Sequence, residues 1–117
     1  INLHSGLLPE FKGVMASFWS LLNEEPNLGT TLHWITDKKI DSGALISTRS
    51  QPVRSSDTYR EQVLSLYRPG VEQICEAGEQ LESLASSKGD DLPAGAYYSF
   101  PTTDDIDQFE ARGWRLF

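Results

Sequence analysis

The chain is short of several residue types that would otherwise narrow its role. A single cysteine, Cys75, excludes an intrachain disulfide, and two histidines beside that thiol show no ligand spacing, so no metal site is expected. Basic residues are few, ten against seventeen acidic, and scattered; the formal charge of -7 leaves no evident nucleic-acid surface. No apolar run approaches the roughly 18 residues of a membrane span. No charged start leads into an apolar stretch, so no signal peptide is indicated. Membrane association is not expected, and a reducing, cytoplasmic setting is the default. Repeats and low-complexity tracts are also missing.

What remains is an ordinary globular composition. The 117 residues are 38% hydrophobic and include three Trp, four Tyr and five Phe, enough for one packed core and too few for two domains. The chain opens at Ile1 without a methionine, in what reads as a strand end, which suggests that something upstream was removed or omitted.

Residues 1–4 are expected to end a strand, and Ser5 to Gly13 to form a loop. Met15, Phe18, Trp19 and Leu22 recur at helical spacing, predicting an amphipathic helix over 14–24 that Pro26 and Gly29 stop. Residues 31–35 and 44–48 predict antiparallel strands joined by a loop from Asp37 to Gly43. A long helix is expected from about Ser56 to residue 84, with Tyr59, Val63, Leu66, Tyr67, Val71, Ile74, Cys75, Gly78 and Leu81 inward and a kink at Pro69-Gly70. Cys75 is expected to be a helix-packing thiol. Residues 86–95 read as a surface connection, residues 102–112 as a capped helix, and 114–117 as a closing strand.

Two blocks bear on chemistry. The first is Asn2-Leu3-His4-Ser5-Gly6-Leu7-Leu8-Pro9-Glu10-Phe11-Lys12-Gly13; the second is Thr31-Leu32-His33-Trp34-Ile35-Thr36-Asp37, followed by Ile40-Asp41-Ser42-Gly43. Together, and in this order, they resemble the signature of the folate-dependent formyltransferases, the family of methionyl-tRNA, glycinamide ribonucleotide and sugar formyltransferases. The resemblance implies an α/β, Rossmann-like fold, present in part: a few strands including an antiparallel hairpin, packed with a long helix and shorter helices. It further implies that residues 1–117 form the C-terminal part of the catalytic domain, with the N-terminal half absent.

Carried over by position, the resemblance makes Asn2, His4 and Asp41 catalytic. It places Asp37, Lys38, Lys39, Ile40, Ser42 and Gly43 at the donor, 10-formyltetrahydrofolate, and Ser5, Gly6, Leu7, Leu8, Pro9 and Gly13 in a substrate loop. The acceptor it implies is a small-molecule amine or amino sugar. The residue types suit such a reaction. An amide and a protonated imidazole can donate to a developing oxyanion, and a carboxylate beside an imidazole can manage proton transfer. Asp41 is accordingly expected to raise the pKa of His4.

Taken singly, Asn2 reads as a turn residue, His4 as a satisfied strand-end histidine and Asp41 as a loop cap; only their joint spacing favours chemistry. His33 is read as a strand residue without a chemical role, and Trp19 and Trp34 as core. The alternative function is a formyltransferase-derived domain that only binds. A partial domain would expose strand edge and apolar surface, so weak or absent activity and homo-oligomerisation are expected of it.

Overall fold

The central strand follows from its composition. Residues Asn27–His33 (β3) mix leucine with threonine and glycine, and every residue after Asn27 is buried, as expected of a strand covered on both faces. A computed structural model, which describes residues 1–117, pairs β3 antiparallel with Asn2–His4 (β1) on one side and with Leu45–Pro52 (β4) on the other.

Each face of β3 has its own cover. Thr30 hydrogen-bonds Gln73 of the helix Tyr67–Glu79 (α3), and a Cβ added at Gly70 of α3 would lie 2.7 Å from Leu3 of β1, so this helix sits close on the sheet. On the opposite face Thr31 Oγ1 donates to Gly6 O at 2.7 Å and accepts from Leu8 N at 3.2 Å, tying down the loop that follows β1. Side chains alternate along a strand, so Asn2 and His4 share this loop-covered face. Lys12–Gly13 in the same loop pairs in parallel with Tyr97–Tyr98. These two short strands, β2 and β5, bring the late segment 91–98 across the loop.

The apolar core lies beside the sheet. Phe18, Leu21 and Leu22 of the helix Ala16–Leu22 (α1) meet Leu28, Leu66 and Phe109, and Phe18 stacks on Phe109 with ring centroids 4.5 Å apart. Burying one such phenylalanine contributes about 1.5–3 kcal/mol. Phe109 belongs to Thr103–Ala111 (α5), whose start is fixed by a reciprocal cap between Thr102 and Asp105. Thr58 and Glu61 cap Tyr59–Ser65 (α2) in the same manner. A last short helix, Leu81–Ser86 (α4), carries no buried residue.

Several expectations need correction. The long helix is three, broken at Leu66 and Gln80, and Pro69 sits harmlessly in the first turn of α3, where its missing N–H has no helical partner to lose. The expected inward face is also wrong. Tyr67, Val71, Ile74, Leu81 and Cys75 are exposed, whereas Gly70, Gln73 and Ala77 are buried. Polar groups decide this: Gln73 bonds Thr30 and donates to Ser47 Oγ at 2.9 Å, a polar match that a hydrophobic period cannot register. Residues 114–117 are not a strand, although Arg115 O and Leu116 O accept from the first amides of α2. Gly29, expected to end a helix, lies inside β3.

Candidate active site

The site grows out of the register of β1 on β3. Asn2 lies directly opposite His33, and His4 opposite Thr31, on the face away from α3. A bulge between Leu32 and His33 in the pairing with β4 marks where the chain leaves the sheet for the 37–43 loop. That loop returns Asp41 to the same place.

Asp41 is the hub. Its Oδ2 lies 3.4 Å from His4 Nδ1 and accepts from Gly13 N at 2.9 Å; its Oδ1 lies 3.6 Å from His33 Nε2 and accepts from Asn2 Nδ2 at 3.4 Å. Asn2 Nδ2 also donates to His33 Nε2 at 3.1 Å, and the other His33 nitrogen donates to Trp34 O at 2.9 Å. Those two contacts suit a His33 ring that carries its hydrogen on Nδ1. Asn2, His4 and Asp41, expected to act together from the sequence, are thus brought together.

Backbone conformation holds the hub in place. Asp41 adopts a left-handed φ of 50°, uncommon for a residue with a Cβ, and its carboxylate is tied by the amide of Gly13, itself at φ 96°. A Cβ at Gly13 would fall 2.1 Å from Tyr98 O. One at Gly6 would fall 2.8 Å from His4 Nε2, so the glycine leaves room for the imidazole.

His4 carries a tension between geometry and burial. Both ring nitrogens face acceptors, Nε2 the carbonyl of Phe11 at 2.6 Å and Nδ1 the Asp41 carboxylate. Only an imidazolium could donate to both. Yet loss of solvent lowers its pKa below the ordinary 6.5, outweighing the raising effects of Asp41 and of the Phe11 bond, and His33 lowers it slightly more. Asp41 thus raises the His4 pKa, as expected of it, but burial is the larger effect and the net shift is downward. The ring rests neutral at pH 7, with Nε2–H on Phe11 O and an unprotonated Nδ1 toward Asp41.

Sequence reasoning missed two residues here. In sequence His33 is an ordinary strand residue, and only the β1–β3 register, which sets it opposite Asn2, draws it in. Lys12 is buried and donates to Ser42 Oγ at 3.1 Å and to Pro93 O at 3.2 Å. Of the remaining expected residues, Asp37, Lys38, Lys39 and Ile40 lie exposed on the loop, and Asp37 Oδ1 accepts from Lys39 N at 2.7 Å. Ser42 and Gly43 follow Asp41 inward. Lys39, Ile40 and Ser42 line a cavity of about 510 Å³ completed by Lys12, Leu92 and Tyr97, within the size range of small-molecule sites. In the expected substrate loop, Gly6 and Leu8 are buried, Leu7, Pro9 and Gly13 half-buried, and Ser5 exposed.

The family profile described as "Formyl transferase" matches residues 1–76, the span that contains every residue of this cluster. The chain belongs to the formyl transferase family. The chain is similar to the methionyl-tRNA formyltransferase of Parabacteroides distasonis, 28% identical over 97 residues, which is 83% of this chain and 29% of that protein. It superposes on WlaRD, a sugar 3N-formyl transferase solved with dTDP and 5-N-formyl-THF, with a TM-score of 0.72 and 30% identity over 84% of this chain and 36% of that one. An N-formyltransferase from Helicobacter canadensis, solved with folinic acid and dTDP-3-aminofucose, gives 0.73 and 28% over 90% and 38%.

This formyl transferase chain spans less than two-fifths of the length of each of these relatives. The expectation that it is specifically a C-terminal part of the catalytic domain is overturned. The family match covers the amino-terminal and larger part of the chain, residues 1–76, and the structural likeness runs over most of its length. The partial α/β formyltransferase fold with its antiparallel hairpin stands. No helix is long and apolar enough to cross a membrane.

Proposed function

We propose that this chain carries the reacting centre of an enzyme that moves a formyl group from 10-formyltetrahydrofolate to the amine of a small-molecule acceptor, an amino sugar among the candidates. The observation that supports it best is the meeting of Asn2, His4, His33 and Asp41, from three separate stretches of chain, within 3.6 Å of one another along the contacts described. When bound, the donor supplies an electrophilic carbon, to which the acceptor nitrogen bonds as the bond to the folate nitrogen breaks. The cavity beside Lys39, Ile40 and Ser42 suits a ligand of that kind in size and in its mixture of apolar and polar walls.

The residues divide the work by what each can do with a proton. His4 rests neutral, so its Nδ1 can accept the proton that an attacking amine must lose, and the ring can then give a proton up to the folate nitrogen, which must gain one as its bond to the formyl carbon breaks. Once charged, the ring donates to both Phe11 O and Asp41 Oδ2, so the two acceptors that surround it stabilise the state reached during reaction. Asn2 Nδ2 can turn one hydrogen toward developing negative charge by giving up its long, 3.4 Å contact to Asp41. His33 would hold the amide in orientation through the shorter contact. Removing one donor of this type costs roughly a hundredfold or more in rate.

The test uses the protein expressed from its complete gene. Incubation with 10-formyltetrahydrofolate and a panel of amines, amino-sugar nucleotides included, should release tetrahydrofolate, and His4→Ala should abolish the release. Tight folinic acid binding with no turnover for any acceptor would favour instead a domain that binds without catalysing.

A further inference from the structure

Lys12 is used by no step above, yet it is 7% exposed, and its ammonium has no carboxylate within ion-pair range. Burying an ammonium without a counter-charge is costly, so its two neutral acceptors must do something that a carboxylate would not. Both acceptors are informative. Pro93 O belongs to the segment that crosses the site loop, and Ser42 Oγ passes the bond on by donating to Ile40 O at 2.9 Å. Ile40 and Ser42 are the two neighbours of Asp41.

A closed arrangement results. Residue 12 grips residue 42 through its ammonium, residue 42 grips residue 40 through its hydroxyl, and the next amide, Gly13 N, holds Asp41 Oδ2. The main chain of the crossing segment locks the same region, through Lys12 N to Ala96 O, Val14 N to Tyr98 O and Leu92 N to Ser42 O, at 3.0, 3.0 and 3.1 Å. Asp41 needs such restraint, because a left-handed φ of 50° in a residue with a Cβ persists only where its surroundings impose it.

We propose that Lys12 is a positioning residue, which acts through Ser42 to set the Asp41 carboxylate against His4 and thereby governs how readily His4 takes a proton. The proposal rests on the functional reading above only for its catalytic consequence; its physical content concerns the His4–Asp41 pair alone. Groups facing His4 are Asp41 from the 37–43 loop, His33 from β3 and the Phe11 carbonyl; Asp41 is tied to the Lys12 ammonium through Ser42, whereas the Phe11 carbonyl belongs to the peptide bond before Lys12, so Ser42→Ala isolates the first link.

The measurement is the titration of His4, followed by NMR on the chain labelled at the histidine ring. Ser42→Ala keeps the lysine charge and removes the link; Lys12→Met removes both. Positioning predicts that both variants lower the His4 midpoint below that of the parent, since a displaced carboxylate raises it less, and that Lys12→Arg restores it. A purely electrostatic role for Lys12 predicts the reverse, a raised midpoint in Lys12→Met and none in Ser42→Ala. Either an unmoved Ser42→Ala or a raised Lys12→Met overturns the proposal, and if Lys12→Met fails to fold, Ser42→Ala decides alone. In the full gene product the two variants should lose on the order of tenfold to a hundredfold in kcat, as for misplacement of a reacting group by about 1 Å. An inactive parent would refute the functional reading and leave the titration result untouched.

Discussion

Replacing Gly13 by alanine probes the backbone on which Asp41 depends, and Gly113 provides its control. Both glycines adopt positive φ, 96° and 89°. A Cβ at Gly113 meets nothing within 4 Å, so Gly113→Ala reports the conformational cost alone, about 1–2 kcal/mol for a side chain in that region. Gly13→Ala carries the same cost and two more. Its Cβ would stand 2.1 Å from Tyr98 O, which forces the β2–β5 pair apart, and any such shift withdraws the Gly13 amide from Asp41 Oδ2. Losing a hydrogen bond to a charged acceptor costs about 1.5–3 kcal/mol. The total for Gly13→Ala is then at least about 2.5–5 kcal/mol, before the clash with Tyr98 is added, a large share of the roughly 5–15 kcal/mol that holds a domain folded. Urea unfolding followed by the fluorescence of Trp19 and Trp114, both packed against the core, measures the two variants side by side. Equal midpoints for Gly13→Ala and Gly113→Ala would refute the reasoning, because they would mean that neither the crossing segment nor the Asp41 anchor resists the added methyl group.

Gln73→Ala should cost about 2–4 kcal/mol in the same assay, since it removes buried packing and leaves Thr30 and Ser47 with an unmet partner, whereas exposed Val71→Ala should change little. Thr102→Ala and Thr58→Ala each remove a reciprocal cap and should cost about 1 kcal/mol, seen as a lower melting temperature. The paired carboxylates Asp105 and Glu61, whose pKa values are lowered by those threonine bonds, stabilise the fold above their ordinary range; that contribution fades as pH falls through the lowered values. Stability should also decline on acidification starting near pH 6.5. There the unfolded chain takes a proton on His4 before the folded chain does, so in that window the unfolded state binds more protons. Urea midpoints at several pH values, compared with His4→Gln, check this; a variant with the same slope as the parent would assign the effect elsewhere.

What the sequence disclosed, and what it hid, divide along a physical line. Asn2, His4 and Asp41 were legible because their order and spacing resemble a signature, and the strand and short-helix pattern followed from period and caps. His33 was hidden because its importance lies in register: nothing in the order of residues states that β1 pairs antiparallel with β3 and sets residue 33 opposite residue 2. The buried face of α3 was hidden because it is written in Gly70, Gln73 and Ala77, while the apolar residues that define a helical period point outward. Pairs as short as β2 and β5, two residues each, leave no periodicity to read.

The state of His4 is set by opposing effects that residue types and spacing alone do not weigh. A carboxylate at 3.4 Å argues for a charged ring, and the carbonyl at 2.6 Å argues the same. Burial opposes both, and wins at rest, because an imidazolium withdrawn from water loses more than two partners of this geometry return. The ring thus has two acceptors suited to a charge that burial disfavours. Asp41 is long by hydrogen-bond standards to every side-chain partner, with only the Gly13 amide at 2.9 Å, which leaves it free to tighten when a proton arrives on Nδ1. On the proposed reading such a ring receives the proton of the acceptor amine, and residues 12, 13 and 42, which hold the carboxylate of Asp41 in place, set how readily it does so.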